Sequence, residues 1–264
     1  MSVSAEVTLI IPAHGRLQET AGLLSSLAQS QASYAIILVD DGTETPLSKQ
    51  LPAYPGLRLT HLRNPSRQGP AVARNLGLTN ASTRYVAFTD NDVSVSPTWI
   101  ETLYQHLCAA PEDVAGVGGR VIDDGRNLVG RYCTCLRLLD PYKVSGRVAY
   151  LVTANCMFRR AALIKVGGFD ESFEVPGGED TELSFRVLAA GFRLECCERA
   201  VVTHHYRGSW LAFWKLFGRY GRGCRQAMEA LRPRQSLINR IGGCEVEGSE
   251  AKDSVSIASR MAIK

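Results

Sequence analysis

The sequence has no long apolar run. No stretch of its 264 residues approaches the roughly 18 consecutive apolar residues that a membrane-spanning helix requires, so we expect no transmembrane segment. The opening stretch MSVSAEVTLIIPAHGR also has no basic region followed by an apolar core and a cleavage site, which are the marks of a secretory signal. These two absences favour a cytoplasmic protein.

The sequence also lacks cysteine pairs with the spacing of a zinc site and a strong excess of charge of one sign. The eight cysteines include the spacings C-x-C and C-C but no C-x2-C pair, so the sequence does not predict a zinc site. We expect reduced thiols that serve mainly as small apolar side chains. The net charge of +4 is too small an excess of basic residues to indicate nucleic-acid binding.

Short apolar segments alternate with amphipathic ones over the first 110 residues. Strand-like segments lie at 6–14, 35–42, 57–64 and 84–92. Helix-like segments lie at 16–30, 69–81 and 98–110. Strands that alternate with helices in this way predict an α/β domain with a mostly parallel central sheet and helices on both faces.

The pattern is less regular in the second half of the chain. A strand-like segment at 114–122 is followed by an irregular stretch at 123–150. A strand and a short helix are predicted within 149–171, a further helix begins near Glu179, and a strand follows at about 192–203. No internal repeat is visible, so a single domain is expected.

Three of the predicted strands end in short stretches that contain polar residues. They are Pro12, Ala13 and His14, then Asp40 and Asp41, and lastly Asp90 and Asp92. Because ligands of parallel sheets bind beyond the carboxyl ends of the strands, we expect these residues to line one site. Asp90 and Asp92 could bind a divalent cation, and Asp40 or Asp41 could accept hydrogen bonds from a nucleobase or ribose. The alternative for both pairs is a turn in which the aspartates cap backbone groups.

Two further pairs carry groups suited to catalysis. Glu179 and Asp180 follow two glycines at the start of a predicted helix. One of these carboxylates could act as a general base, or both could be there because the helix dipole stabilises them. His204 and His205 end the last predicted strand, where an imidazole could bind an ion such as Mn²⁺ or serve only the structure.

Seven segments of the chain, taken in order, resemble one known family. They are VTLIIPAHGR, ILVDDGT, ARNLGL, RYVAFTDND, TANCMFRRAALIKVGGFDE, GGEDTELSFRVLAAGFRL and VVTHH. Their order and spacing, over about residues 5–220, are similar to those of the family-2 inverting glycosyltransferases. The resemblance implies the A-type glycosyltransferase fold, formed by a single nucleotide-diphospho-sugar transferase-like domain plus a C-terminal helical extension.

The resemblance also implies how the chain is divided. A catalytic domain would span 1–206, with a nucleotide-binding half at about 1–122 and an acceptor or catalytic half at 123–206. A basic aromatic helix would follow at 207–234. The remaining tail at 235–264 is polar and has no clear period, so we expect an extension or a disordered end there.

For the donor, the resemblance implies a nucleoside diphosphate sugar, with UDP-sugars favoured. Pro12 and Asp41 would hold the nucleobase, Arg74 would lie near the nucleotide, and Asp90 would lie towards the ribose. Asn155 would help to shape the donor and acceptor pockets, as would the arginine pair at 159–160.

For the chemistry, the resemblance implies a Mn²⁺ or Mg²⁺ ion that bridges the diphosphate. Asp92 would bind this ion, with His204 or His205 as a further ligand. Asp180 would be the general base that deprotonates the acceptor hydroxyl, and attack from the opposite face would invert the anomeric carbon. The acceptor stays open among lipid-linked, saccharide, peptide and small-molecule hydroxyls.

Two departures from the family pattern leave other functions open. His14-Gly15 stand where many members have Tyr-Asn, and DDGT replaces the commoner DDGS. The first departure favours a non-catalytic nucleotide-sugar binding subunit. A sugar nucleotidyltransferase would also combine an α/β nucleotide fold with metal-binding carboxylates. The chain lacks the early glycine- and arginine-rich triphosphate loop of such an enzyme. Asp180 would also have no role in a nucleotidyltransferase.

The segment 207–234 combines five aromatic side chains with seven Arg or Lys and one Glu. One interpretation is that the aromatics pack this helix on the domain and gate the acceptor cleft. The other is that the helix lies on the anionic cytoplasmic face of a membrane, which would suit a lipid-linked acceptor. Nucleic acid is not expected as a partner, since no recognised binding module accompanies the basic residues.

Overall fold

Strands and helices alternate along residues 6–231, the part of the chain that the computed structural model describes. The strands are β1 (Val7–Ala13), β2 (Ala35–Asp41), β3 (Arg58–Asn64), β4 (Tyr85–Phe88), β5 (Val93–Val95), β6 (Val114–Asp123), β7 (Tyr142–Val144), β8 (Arg147–Tyr150), β9 (Cys156–Arg159) and β10 (Arg193–His204). The helices are α1 (Leu17–Leu27), α2 (Leu47–Gln50), α3 (Pro70–Asn80), α4 (Trp99–Ala109), α5 (Leu128–Cys135), α6 (Arg160–Lys165), α7 (Glu179–Ala189) and α8 (Trp210–Leu231). The predicted tail at 235–264 lies outside the described residues.

Eight of these strands form one mixed sheet in the order β3-β2-β1-β4-β9-β6-β10-β5. The pairings β3-β2, β2-β1, β1-β4 and β6-β10 are parallel. The pairings β4-β9, β9-β6 and β10-β5 are antiparallel. The predicted α/β fold is confirmed, and the antiparallel pairings all lie beyond β4, where the sequence pattern is least regular.

Successive side chains of β1 pack into two layers of the core, one on each face of the sheet. Leu9 and Ile11 are buried on one face of the sheet, where α1 and α4 pack, whereas Ile10 is buried on the other face with α3, α6 and α7. Successive residues of a strand point to opposite faces, so a central strand covered on both sides must be apolar almost throughout. This explains why β1 shows no polar alternation.

The ends of β1 and β4 separate and open a crevice at the centre of the sheet. The pairing of the two strands ends at Ile10 opposite Phe88, where the Thr89 N–H donates to the Ile10 carbonyl. Pro12 lies two residues further along β1, where β1 no longer pairs with β4. Its missing N–H therefore leaves no ladder hydrogen bond unmade.

The stretch 123–150, predicted to be irregular, contains helix α5 and the hairpin β7–β8. Asn127 caps α5, because its side-chain oxygen accepts from the Gly130 N–H at 2.8 Å. Strand β5 is also absent from the predicted elements, since three residues are too few to show a period.

Arg159 does not reach the pockets that the resemblance implied for it. Its side chain is buried in β9 and donates to the main-chain oxygens of Val114, Leu107 and Ala110. These bonds fasten the connection between α4 and β6 to β9. Neither Arg159 nor Arg160 lines the cleft described below, and the role of Arg159 is corrected to a structural one.

Helix α8 has a packed half and an exposed half. Its buried residues Gly223, Ala227 and Leu231 recur every four positions, whereas Trp210 and Trp214 are exposed near its start. Although α8 has 22 residues, no helix between residues 6 and 231 is long and apolar enough to cross a membrane.

The packed half of α8 lies against the glycine loop that precedes α7. A Cβ atom on Gly223 would overlap the Gly177 carbonyl, and one on Gly178 would overlap the main chain of Gly223. Gly178 also has a φ of +95°, a conformation that other residues rarely adopt. Helix α8 therefore backs the segment that carries Glu179 and Asp180.

We predict that Gly223→Ala destabilises the fold and that Gly218→Ala does not. The methyl group at 223 meets main-chain atoms, and overpacking of this kind typically lowers the free energy of unfolding by about 1–3 kcal/mol. Gly218 lies in the same helix with nothing within 4 Å of its added Cβ, so alanine there should stabilise by up to about 1 kcal/mol. Urea denaturation measures both effects, and equal stabilities would show that α8 does not press on the glycine loop.

Candidate active site

A cleft of about 1070 Å³ opens at the carboxyl ends of β1, β2 and β4. One wall comes from these strand ends and the first turns of α3, and the other from the β7–β8 hairpin, the start of α7 and helix α8. The sequence-predicted residues that line it are Pro12, Asp41, Arg74, Asp90, Asp92, Asp180, His204 and His205. The fold therefore brings these residues together, whereas Asp40, Asn155 and the arginine pair at 159–160 do not line the cleft.

The two aspartates at the end of β2 have different surroundings. Asp40 accepts hydrogen bonds from the N–H groups of Thr43 and Leu47 and from the Arg63 side chain. Its carboxylate therefore holds the turn that follows β2, as the capping alternative proposed. Asp41 is the member of the pair that lines the cleft.

Asp41 keeps one acceptor position open. Its Oδ1 accepts from Asn64 Nδ2 at 2.8 Å and from the Gln68 N–H at 3.0 Å, and its Oδ2 accepts from the Gly69 N–H at 2.9 Å. Because a carboxylate can accept about four hydrogen bonds, Oδ2 retains capacity for one further donor. A nucleobase N–H is a donor of the required kind.

The residues that depart from the family pattern join the ends of β1 and β2. His14 Nδ1 lies 2.7 Å from the Asp41 carbonyl oxygen, and the Gly15 N–H donates to Thr43 Oγ1 at 2.9 Å. A carbonyl oxygen only accepts, so Nδ1 is the protonated nitrogen of His14. The ends of β1 and β2 are thus joined through His14, Gly15 and the threonine of DDGT.

One group of three possible metal ligands is found among residues 6–231, namely Asp90, Asp92 and His204. Each offers one ligand atom, and the three atoms lie within 4.8 Å of one another. His204 Nε2 is 3.4 Å from Asp92 Oδ1, and His204 Nδ1 is buried without a hydrogen-bond partner among the described residues. Since neither ring nitrogen is held by a short hydrogen bond, the imidazole is available as a ligand. Two carboxylates and an imidazole fit Mn²⁺, and the carboxylates alone fit Mg²⁺.

Strand β5 is what brings His204 to Asp92. Val93 of β5 lies opposite His204 of β10 in the antiparallel pairing, and the His205 N–H donates to the Asp92 carbonyl at 2.9 Å. The His205 side chain turns elsewhere, because its Nδ1 lies 3.0 Å from Asp124 Oδ2. Of the two histidines, the structure places only His204 in the ligand group.

Arg74 is buried and binds two acids at once. Its Nη1 donates to Glu179 Oε1 at 2.8 Å, and its Nη2 donates to Asp90 Oδ1 at 2.9 Å. Glu179 Oε2 accepts in turn from the Gly177 N–H at 2.7 Å. Arg74 therefore ties the tip of β4 to the start of α7. Its contact with a nucleotide stays a prediction, since these two carboxylates already engage its charge.

Asp180 follows Glu179 and faces the cleft. Its Oδ1 accepts from the Thr181 N–H at 2.8 Å, and its Oδ2 lies 3.5 Å from the Thr153 nitrogen. Burial raises the pKa of this carboxyl to about 7, the charge of Glu179 adds to the rise, and Arg74 opposes it. A carboxyl that changes protonation near neutral pH is suited to accept a proton in catalysis.

Asn155 does not line the cleft, which corrects the expectation that it shapes the pockets directly. Its side-chain nitrogen donates to the carbonyls of Arg120 at 2.8 Å and Ala200 at 2.9 Å, and its oxygen accepts from Trp99 Nε1 at 2.8 Å. The residue is 1% exposed. It joins β6, β10 and α4 behind the cleft wall.

Several cleft residues were not identified from the sequence. Tyr142 and Tyr150 of the hairpin stack with ring centroids 5.3 Å apart, and Arg16 contacts the Asp92 carboxylate. No local pattern marks these three, because the hairpin strands are short and Arg16 lies in a turn. The aromatic density of 207–234 was a signal, and Tyr220 of α8 does line the cleft.

Two family models match the chain. Residues 8–167 match the model described as glycosyl transferase family 2. Residues 135–207 match a model described as the N-terminal domain of galactosyltransferase. Between them the two matches cover every residue that the sequence singled out for the site.

Two curated relatives have similar sequences over most of this chain. The pre-mycofactocin glycosyltransferase of Mycobacterium tuberculosis (strain CDC 1551) is 34% identical over 226 residues, which are 81% of this chain and 46% of that protein. The chondroitin synthase of Escherichia coli is 25% identical over 236 residues, which are 75% of this chain and 34% of that protein. This chain therefore spans less than half the length of either relative.

Two solved structures share the fold at low sequence identity. The mannosyltransferase from Pyrobaculum calidifontis, in complex with GDP-Man and Mn²⁺, matches 99% of this chain and 81% of its own, with a TM-score of 0.66 and 16% identity. S. aureus TarS 1–349, in complex with UDP-GlcNAc, matches 86% of this chain and 67% of its own, with a TM-score of 0.63 and 16% identity.

We predict that wild-type stability falls, relative to Asp180→Asn, as the pH rises from about 4 to about 7. The folded carboxyl keeps its proton up to a pKa of about 7, whereas the unfolded one releases it near 3.8. Between these pH values the folded state binds more protons than the unfolded state. The contribution of the Asp180 carboxyl to the free energy of unfolding is therefore complete below the lower pKa and is lost as the pH approaches the upper one. The largest slope would be about 1.4 kcal/mol per pH unit. Urea denaturation in EDTA measures the difference, and parallel curves for the two proteins would contradict it.

Proposed function

The chain belongs to glycosyltransferase family 2, and from that premise we propose that it is a metal-dependent, inverting glycosyltransferase. It would transfer a sugar from a nucleoside diphosphate to an acceptor hydroxyl. The observation that carries the proposal is the meeting of Asp90, Asp92 and His204 with Asp180 in one cleft. A cation site and a general base are the two devices that this reaction requires.

The family resemblance of the sequence is confirmed by the match over residues 8–167, and the expected fold is shared with the two solved structures. The nucleotide would lie at the ends of β1 and β2, where Asp41 Oδ2 can accept one further hydrogen bond and Pro12 lines the cleft. We propose a UDP-sugar, which the resemblance favours. The structures of the same fold hold GDP-Man in one case and UDP-GlcNAc in the other, so the base needs a direct test.

Asp92 and His204 would hold the metal ion, with Asp90 beside them. Bound there, Mn²⁺ or Mg²⁺ supplies Lewis-acid stabilisation of the charge that develops on the leaving diphosphate. Arg74 engages Oδ1 of Asp90, which leaves Oδ2 for the ribose or for the cation. His205 is assigned no ligand role, because its ring is paired with Asp124.

Asp180 would take the proton of the acceptor hydroxyl. Its neighbour Glu179 is unsuited to this role, because Arg74 and Gly177 engage both of its carboxylate oxygens. As the acceptor oxygen bonds to the anomeric carbon, the bond from that carbon to the diphosphate oxygen breaks and the hydroxyl proton passes to Asp180. Attack from the face opposite the leaving group inverts the anomeric carbon in one displacement.

The acceptor would bind between the β7–β8 hairpin and helix α8. Tyr142 and Tyr150 lie on the hairpin side, and Phe217 and Tyr220 lie on the helix side. Aromatic rings present apolar faces together with, for tyrosine, a polar hydroxyl. Walls of this kind suit an acceptor that carries both an apolar face and hydroxyl groups.

The structure weakens the case for a non-catalytic binding subunit. That alternative rested on the His14-Gly15 departure, yet both residues hydrogen-bond to the end of β2 and hold the two strand ends together. A transferase is the function that gives both the three possible metal ligands and Asp180 a role.

We also propose that the protein associates peripherally with an anionic membrane face, on the cytoplasmic side. Exposed apolar side chains of α5 and α8 form what we call the aromatic patch, which consists of Leu128, Tyr132, Trp210, Leu211 and Trp214. The two helices meet where the rings of Tyr132 and Phe213 pack edge to face, with centroids 5.6 Å apart.

Charge around the aromatic patch supports an anionic partner. The exposed cations Arg126, Arg131, Arg207 and Lys215 lie on or next to the same two helices. Each basic residue near an anionic bilayer contributes about 1 kcal/mol, and tryptophan favours the membrane interface. Trp214 and Lys215 also line the cleft, so docking of the patch would bring the cleft close to a lipid-linked acceptor.

For the reaction, we expect slow release of nucleoside diphosphate from one donor in a panel of UDP-, GDP- and dTDP-sugars. Release should require Mn²⁺ or Mg²⁺, stop in EDTA and be abolished by Asp92→Ala. Asp180→Asn should lower turnover by about 10²–10⁴-fold and leave donor affinity unchanged, because it removes only the base. Chromatography of the nucleotides measures turnover, and calorimetry measures donor binding.

The adjacent histidines provide a matched control for the metal assignment. His204→Ala should raise the Mn²⁺ concentration needed for half-maximal turnover, whereas His205→Ala should not. Equal effects would contradict the assignment of His204. Donor binding without turnover under any acceptor would favour a binding subunit, and absence of both binding and turnover would overturn the proposed function.

For the membrane, the full chain should sediment with vesicles that contain phosphatidylserine and not with vesicles of phosphatidylcholine alone. Binding should weaken as salt rises, because the attraction is electrostatic and screened. The double variant Trp210→Ser/Trp214→Ser should bind about tenfold more weakly. Ile164→Ser is the control, because Ile164 is 51% exposed on α6 and lies outside the aromatic patch. Equal loss in both variants, or no sedimentation, would count against a membrane role for the patch.

A further inference from the structure

Arg16 is fixed beside the Asp-x-Asp turn by its backbone. It joins β1 to α1 with φ 51° and ψ 51°, in the left-handed region that arginine rarely adopts. Its carbonyl accepts from Thr20 Oγ1 at 2.9 Å, and Thr20 Oγ1 accepts from Asn91 Nδ2 at 2.9 Å. Asn91 is the middle residue of the Asp-x-Asp turn, so the turn and the Arg16 backbone are tied together.

The Arg16 side chain contacts the carboxylate that offers a metal ligand. Its Nη1 is hydrogen-bonded to Asp92 Oδ2, while Asp92 Oδ1 lies 3.4 Å from His204 Nε2. The two oxygens of Asp92 are thus divided between a guanidinium and an imidazole. The Arg16 side chain is 33% exposed and lines the cleft, whereas that of Asp92 is 12% exposed.

Arg16 and Arg74 neutralise different parts of the site. Arg74 is buried and is bonded to Asp90 and Glu179 through separate nitrogens, so it is held in place from two sides. Within residues 6–231, Arg16 has a single acid partner, Asp92, and its side chain is partly exposed in the cleft. Its long, flexible side chain can leave that partner while the backbone stays tied to Thr20.

A divalent cation and the Arg16 guanidinium compete for the charge of Asp92. A cation bound by Asp92 and His204 would lie close to the guanidinium, and like charges at short range repel. A diphosphate that arrives with the cation brings negative oxygens, for which a planar guanidinium is a good bidentate partner. Moving Arg16 from Asp92 to the diphosphate would remove the competition and add a donor contact.

We propose that Arg16 is a donor-binding residue that exchanges Asp92 for the donor diphosphate, and thereby makes metal and donor bind together. The inference rests on the proposed function, since it takes Asp92 as a metal ligand. By opposing the ion alone and attracting the diphosphate, Arg16 creates a favourable coupling between the two ligands. The enzyme would then bind the ion weakly until a donor is present.

The test is Arg16→Gln, with two binding measurements that do not need turnover. Mn²⁺ affinity without nucleotide is read from the paramagnetic resonance of the free ion. Nucleotide affinity in saturating Mn²⁺ is read by calorimetry with UDP and GDP, using whichever of them wild type binds more tightly. The Kd for Mn²⁺ should fall about fivefold or more, while the Kd for the nucleotide rises by about tenfold.

Two further variants test whether the shifts come from the charge of Arg16, and not from its backbone conformation or from the loss of any arginine in the cleft. Arg16→Asn removes the cation but keeps a residue that tolerates the left-handed conformation, so it should reproduce both shifts even if the glutamine variant folds poorly. Arg67→Gln removes another arginine that lines the cleft, one that is not bonded to Asp90 or Asp92, and should leave the Kd for Mn²⁺ unchanged.

The direction of the two shifts decides between outcomes. If Arg16 only supports Asp92, its loss weakens Mn²⁺ and nucleotide together, and that result overturns the proposal. Unchanged affinities in a variant of wild-type stability also overturn it, while the proposed function stands because wild type binds both ligands. Wild-type protein that binds neither Mn²⁺ nor nucleotide overturns the proposed function and the coupling with it.

Discussion

The buried guanidinium of Arg74 is the group on which the geometry of the cleft depends. It projects from α3 and binds Asp90 at the tip of β4 and Glu179 at the start of α7. Breaking a buried ion pair by removing one partner typically costs about 3–5 kcal/mol, because the remaining charge is left uncompensated. Loss of Arg74 would leave the buried carboxylate of Glu179 and the partly exposed one of Asp90 without this partner, with Asp180 beside them. The proposed cation site and the proposed general base are therefore joined through this one side chain.

The residues whose position follows from strand direction could be predicted from the sequence. Parallel strands place their carboxyl ends at one edge, so Asp41, Asp90 and Asp92 could be assigned to a common site before any coordinates were known. The choice between His204 and His205 could not be made, since it depends on the register of β5 against β10, and β5 is three residues long. Asn155 was misplaced for a related reason: its three hydrogen-bond partners lie 35 to 56 residues away, and no local pattern shows which way its side chain points.

The departures from the family pattern show why a motif must be judged together with its spatial partners. Taken alone, His14-Gly15 favoured a non-catalytic nucleotide-sugar binding subunit. In the structure His14 donates to the Asp41 carbonyl, and Gly15 donates to the threonine of DDGT, so each departure meets the end of β2. Asp41 keeps its cleft-facing carboxylate and its bonds to the loop at 64–69. In this chain His14, Gly15 and Thr43 join the two strand ends, and Asp41 Oδ2 beside them can accept a further hydrogen bond.

The two walls of the cleft differ in how they are built, and this difference bears on catalysis. The donor wall is made of strand ends that continue into the core, so its atoms are held by buried packing on both faces of the sheet. The proposed acceptor wall includes α8, whose side chains Ala227 and Leu231 are buried and whose main chain meets the glycine loop at Gly223. At the glycine loop no side chain lies between α8 and the segment that begins α7, because Gly223 meets Gly177 and Gly178 directly. The place of Asp180 in the cleft therefore depends on how closely α8 packs against this loop.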